Sequence, residues 1–239
     1  MADTGGLGTS VASDCEVMIA CTTLKSEIEH VMQTKGVQRR VVWLEHQLHN
    51  VPTQLTAALQ EALDEVRDAD RVLLGYGNCG NAIQGLVAGD YELIVPRIDD
   101  CISIMLGSQH YRERYGRENR AFYLTDGWVG EGHTITSEYE DAIRDYGEEE
   151  ADDVMQMMYA HYETMTYLDT GLYDIKALMA DTRKLCEVIE VRQVVEPALF
   201  GYVEALVCGP WPDNLFVHVS PHGCVPADPF NQPGSVREG

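Results

Sequence analysis

The chain has 239 residues, 45% of them hydrophobic, which is enough to bury a substantial core in one α/β domain carrying a helical appendage. Its formal charge is -22, from 39 acidic against 17 basic residues, so its surface field repels nucleic acid and anionic lipid and neither is expected as a partner. No apolar run reaches the roughly 18 residues of a membrane span, and MADTGGLGTSVASD lacks the basic start and apolar middle of a signal peptide.

A flexible N-terminus over residues 1–15 and a cytoplasmic location are therefore expected. The first strand is Glu16-Val-Met-Ile-Ala20, followed by Cys21-Thr-Thr and a helix in which Leu24, Ile28 and Val31 recur up to Gly36. Arg40-Val-Val-Trp-Leu44 is a second strand. Pro52 then opens a helix with an apolar stripe of Leu55, Leu59, Ala62, Leu63 and Val66. Arg71-Val-Leu-Leu74 is a third strand and runs into Gly75-Tyr-Gly-Asn-Cys-Gly-Asn81, after which Ala82 to Val87 reads as a short helix. Glu92 to Val95 is a fourth strand, closed by Pro96 and followed by Arg97-Ile-Asp-Asp-Cys101 and another helical pattern.

This alternation predicts an α/β fold with a doubly wound, mainly parallel, Rossmann-like sheet. Ala121 to Thr125 reads as a further strand leading into Asp126-Gly-Trp128. An acidic helical insertion is expected over about 135–170, packed through Met155, Met158, Tyr159, Tyr162 and Met165. Strand-like runs return at 187–191 and 215–219 around a helix near 198–207, and residues 221–239, rich in Pro and Gly, read as an irregular tail.

In open α/β sheets, ligands bind at the carboxyl ends of the strands, and Cys21, Cys79 and Cys101 all fall there. Three thiolates converging from separate loops suit zinc with an open fourth position or an iron–sulfur cluster with one unligated iron. Loops from three separate strands favour the larger cluster. The competing reading is that these are buried small hydrophobes, as cysteines commonly are. An odd total of seven cysteines does not suit a disulfide framework. Cys15, Cys186 and Cys208 read as structural, and Cys224 lies in the tail, within reach of the site.

Gly75-x-Gly77-x-x-Gly80 formally matches the dinucleotide fingerprint, although it is not in the first βα unit. The alternative account is that Gly75, Gly77, Gly80 and Asn81 wrap backbone closely around whatever Cys79 holds. Arg97 and Asp100 are expected at the pocket wall, Arg97 to bind an anionic or thiol-containing small molecule and Asp100 to donate a proton or orient a ligand. Pairing with each other or capping the next helix is the competing role. His110, His218 and His222 are candidate fourth ligands. Neither an HExxH motif nor a GxSxG elbow, Walker loop or CxxC pair occurs.

The segments IACTTLKSEI, LLGYGNCGNAIQGL and PRIDDCISIMLGS, with the later DGW, resemble the DUF1638 family over about residues 16–220. By position the resemblance singles out Cys21, Gly75, Gly77, Cys79, Gly80, Asn81, Pro96, Arg97, Asp100, Cys101, Gly107 and Trp128. It implies an anaerobic setting near corrinoid-dependent methyltransferases, in one-carbon or sulfur metabolism, with a corrinoid protein or methyltransferase as a candidate partner. Three functions are carried forward. The first is a transferase or lyase acting at a cysteine-ligated metal centre. The second is a non-catalytic accessory protein that carries a metal or corrinoid or docks through the acidic helices. The third is a dinucleotide-binding enzyme.

Overall fold

Strands buried on both faces read as unbroken apolar runs, and such runs build the first sheet of the computed structural model, which describes residues 16–107, 120–128 and 134–228. β1 (Glu16–Cys21), β2 (Arg40–Leu44), β3 (Arg71–Gly75) and β4 (Glu92–Pro96) lie parallel in the order β2-β1-β3-β4. β8 (Phe216–Val219) closes the sheet antiparallel to β4. α1 (Lys25–Lys35) stops at Gly36, whose left-handed φ of 68° suits a residue without Cβ. α2 (Pro52–Glu65) starts with proline at its first turn and buries Leu55, Leu59, Ala62 and Leu63 against one face of the sheet.

The fold is mixed α/β with mainly parallel strands, as expected, but the strands divide between two sheets. The second is three-stranded and parallel, with β6 (Thr164–Asp169) between β5 (Ala121–Leu124) and β7 (Arg192–Pro197). The acidic helices are α4 (Ile135–Tyr146) and α5 (Glu148–Tyr159), so the insertion expected over 135–170 is helical only in its first part. Its remainder supplies β6, whose Thr164 to Leu168 are all buried. α6 (Ile175–Asp181) and α7 (Arg183–Val188) follow, and the strand expected at 187–191 begins only at Arg192. α8 (Gly201–Cys208) packs on α1 and on α3 (Cys101–Met105). One apolar cluster joins the two sheets: Met18, Leu73 and Ile94 of the first share it with Ala121, Tyr123 and Leu168 of the second.

One further expectation is corrected. Residues 82–87 form turns rather than a helix, because the left-handed φ values of Cys79, Gly80, Asn81 and Gly85 interrupt any helical run there. Residues 221–228 form turns and an isolated bridge, tied back to the loop after β3 at Gly223 and Val225. Gly85 and Ala88 donate to the Val225 and Gly223 carbonyls, and the Val225 amide returns to Leu86. Cys15, His110 and residues 229–239 lie outside the described residues. Among the described residues, no helix is long and apolar enough to cross a membrane.

At the opposite edge from the cysteines runs a ladder of alternating charge. Arg39 meets Glu16, Arg71 bridges Glu16 and Glu92 at 2.9 Å each, and the His218 ring stands 2.8 Å from Glu92. Burial lowers the His218 pKa, but hydrogen bonds to Glu92 and to the Trp211 carbonyl outweigh it and leave the value raised. The stabilisation from protonated His218 is thus complete below its ordinary value and lost as pH rises through the folded value. His218→Gln is expected to remove a dependence of up to about 1 kcal/mol, read by denaturant unfolding between about pH 6 and 9.

Candidate metal centre

Three neighbouring parallel strands, β1, β3 and β4, end at one edge, and the cysteines follow directly from that register. Cys21 is the last residue of β1, Cys79 lies in the loop after β3, and Cys101 is the first residue of α3 after β4. The β3 and β4 loops are zipped together by backbone: the Asn78 amide donates to the Ile98 carbonyl at 2.8 Å and the Cys79 amide to Asp99 at 2.7 Å. A Cβ on Gly77 would lie 2.6 Å from the Asp100 backbone, and one on Gly75 would lie 2.5 Å from the Ala20 Cβ. These glycines are therefore needed for chain approach, and no helix follows the loop to present its N-terminus to a dinucleotide phosphate. Gly80 lines the cavity, whereas exposed Asn81 accepts side-chain hydrogen bonds from Asn78 and Gln84.

All three thiols line one cavity of about 290 Å³. Burial pushes the Cys79 thiol up to about 12, with Cys21 and the Asp100 carboxylate adding to it, while backbone hydrogen bonds from Cys101 and Gly77 pull the other way. Cys101 is raised well above the usual thiol range by burial and then by Cys79 and Cys21. Burial and the same three sulfurs also raise Tyr76. Cys21 Sγ donates to the Thr23 hydroxyl at 3.2 Å. Three thiols within electrostatic reach of one another, with backbone amides donating to Cys79, are chemically suited to a soft or borderline metal centre, since bound cationic charge is what converts such thiols to thiolates. Among the described residues, no three His, Cys, Asp or Glu side chains are drawn together as they would be around a single metal ion.

The remaining wall comes largely from the second sheet. Ala121, Phe122 and Tyr123 of β5, with Trp128 and Tyr162, face the thiols across the cavity, and Phe122 meets Tyr162 edge-on at 5.4 Å. Trp128 is carried there by Gly127, whose missing Cβ lets the DGW turn press on the Thr23 carbonyl; an added Cβ would sit 2.2 Å from that oxygen. His49 also lines the cavity. Its Nδ1 faces the His46 carbonyl, which makes Nδ1 the donor of that pair and directs Nε2 to other partners. The sequence carries no motif for His49, Tyr76, Phe122, Tyr123 or Tyr162; only Tyr76, directly after β3, stands at the kind of strand end that marks a site.

The other expected residues stand elsewhere or act differently. Arg97 is not in the cavity lining: its Nε donates to the carbonyls of Asp213 and Phe216, at 2.7 and 3.1 Å, tying β4 to β8. Asp100 does line the cavity, and it caps α3 through Oδ1, which accepts from the Ser103 amide and hydroxyl at 2.8 Å each. His218 pairs with Glu92, His222 with Asp90, and exposed Cys224 bridges to Val87, all outside the lining. Cys186 is buried in the core of the second sheet, and Cys208 packs at the edge of the shared cluster.

Gly77→Ala is expected to cost about 1–3 kcal/mol and to speed alkylation of Cys79 by parting the two loops. Gly201→Ala, which meets nothing within 4 Å, is the matched control with neither effect. Urea unfolding and mass-resolved iodoacetamide labelling read both.

No curated protein and no solved structure matches the chain. A family model described as protein of unknown function (DUF1638) matches residues 43–207, a span that includes Cys79 and Cys101. That span is more than half of the sequence, and the chain belongs to the DUF1638 family.

Proposed function

We propose that Cys21, Cys79 and Cys101 hold an iron–sulfur cluster with one iron left open, and that the cavity beside it takes a small-molecule substrate. The observation that carries this reading is the convergence of three thiols, from three separate strand ends, on one partly enclosed cavity. A single zinc requires its sulfurs within about 2.3 Å of one point, whereas a cluster spaces its ligands around several corners, which suits three separate loops better. When bound, the cluster would supply a Lewis-acidic iron at its open corner.

The chain's own groups have definable tasks around that corner. The aromatic wall of Phe122, Tyr123, Trp128 and Tyr162 excludes water. His49 Nε2 accepts a proton or a substrate hydrogen bond, and Asp100, held by Ser103, orients a ligand or passes a proton. An anionic substrate has lost the guanidinium expected to meet it, since Arg97 is directed at β8, and a thiol-containing or uncharged molecule suits the wall better. The reaction would be that of a transferase or lyase in anaerobic one-carbon or sulfur metabolism, with a corrinoid protein or methyltransferase as partner, in a reducing cytoplasm. The accessory reading is favoured by one feature: α5 exposes Val154, Met157 and Met158 along one face beside its acidic first turn, which suits docking to another protein.

The test is anaerobic purification followed by iron, sulfide and zinc analysis and electron paramagnetic resonance after reduction. About four irons with matching sulfide are expected per chain, and Ser at Cys21, Cys79 or Cys101 should abolish or alter that content while Cys208→Ser leaves it unchanged. Stoichiometric zinc in a colourless protein would replace the cluster with the metal alternative. Iron content indifferent to all three substitutions would falsify the three-cysteine site, and saturable NAD(P) binding by that protein would revive the dinucleotide reading.

A further inference from the structure

Away from the cysteines, the junction of the two sheets buries side-chain oxygens that have no hydrogen-bond partner of good geometry among the described residues. Glu27, on the first turn of α1, is 1% exposed, and neither of its carboxylate oxygens has a hydrogen-bond partner. Thr125, just after β5, is fully buried, and its hydroxyl oxygen is likewise without a partner. Its neighbour Asp126 uses one oxygen to accept from Ser26 at 3.1 Å, and the other, Oδ1, is buried and unpaired. Buried polar atoms are satisfied almost everywhere in folded proteins, so four orphan oxygens on three residues call for an occupant.

The groups belong to one place. The Ser26–Asp126 bond and the contact of Gly127 with Thr23 press the β1–α1 segment onto the turn after β5. Burial raises Glu27 to about 7, its own backbone amide pulling the other way and Asp126 adding to the rise, and burial followed by Asp126, Asp169 and Glu27 raises the Tyr173 phenol. No lysine or arginine is among the influences on Glu27, and Lys25, the cation nearest in sequence, extends over the Trp43 ring instead. Among the described residues no lysine or arginine pairs with either carboxylate, so burying Glu27 beside half-buried Asp126 is costly, and oxygen-only donors select a hard cation over zinc or iron.

We propose that Glu27, Thr125 and Asp126 form a binding site for one divalent cation, Mg²⁺ or Ca²⁺, that clamps the first sheet's β1–α1 segment to the second sheet's β5 turn. Two carboxylates match a double positive charge, and the hydroxyl completes a hard donor set. The clamp would hold Thr23 and Trp128, both in the wall of the cysteine cavity, at a fixed separation. None of its donors is a cysteine, so it stands whether or not those thiols hold a cluster.

The test uses the full chain, treated with chelator and dialysed, then titrated with MgCl₂, CaCl₂, NaCl and KCl at matched ionic strength. Thermal unfolding and calorimetry are the readouts. One equivalent of Mg²⁺ or Ca²⁺ should bind and raise the melting temperature saturably, with no such response to Na⁺ or K⁺. Glu27→Gln and Asp126→Asn should each weaken binding at least about tenfold, Thr125→Val should weaken it less, and Asp141→Asn on the surface of α4 should leave it unchanged. If Glu27→Gln does not fold, Asp126→Asn and Thr125→Val still decide. The proposal is overturned if the wild type shows no divalent-specific response, if only monovalent ions act, or if Glu27→Gln melts higher than wild type in every salt, which marks Glu27 as a buried neutral acid.

Discussion

The cysteine edge depends on two loops being allowed to touch. Hydrogen bonds from Asn78 and Cys79 to the carbonyls of Ile98 and Asp99 lay the β3 loop on the β4 loop, and they form only because Gly77 has no side chain to strike the Asp100 backbone. With that contact made, Cys79 and Cys101 lie within electrostatic reach of one another, and the β1–β3 register brings Cys21 beside them. The same constraint recurs at Gly127, which sets the DGW turn against Thr23 and carries Trp128 to the far wall. Backbone-to-backbone packing, rather than side-chain attraction, therefore dimensions the cavity.

Such close approach needs rigid support on both sides. The first sheet has it from apolar clusters on its two faces, one formed with α2 and the other shared with the second sheet through Ala121, Tyr123 and Leu168. A wall built from both sheets can keep a constant width only while this shared cluster holds. The cleft thus combines a thiol floor on a buried parallel sheet with an aromatic rim on a smaller one.

The first sheet was legible because its strands are continuous apolar runs punctuated by Gly and Pro, and that placed Cys21, Cys79 and Cys101 at strand ends. Of the second sheet β5 was legible, whereas β6 was hidden and β7 was read too early in the chain. In Thr164–Asp169 the Thr-Met-Thr-Tyr start alternates as a strand does, but Met165 also continues the apolar spacing of α5 through Tyr162, and that helical period masks the strand. Arg97 was misplaced because its acceptors, Asp213 and Phe216, lie more than a hundred residues further on and become neighbours only through the antiparallel return of β8. His49 and the aromatic wall carry no motif, and their role depends on how the two sheets meet. Asp100 was recognised at the right place, and its capping bond to Ser103 was the competing role weighed for it.

The late return of β8 also imposes an order on the birth of the molecule. A chain emerging from its N-terminus can align β1 to β4 once residue 96 is available, but the Leu93–Pro96 edge has no partner until Phe216–Val219 has been made. For that interval, during which the whole second sheet is synthesised, the outer edge of a Leu, Ile and Val strand stands open to pairing with another nascent chain. Arg97 stays without the β8 carbonyl of Phe216 until the same moment. Completion of the first sheet therefore waits until the strands of the second have been made, although β1 to β4 precede them in the chain.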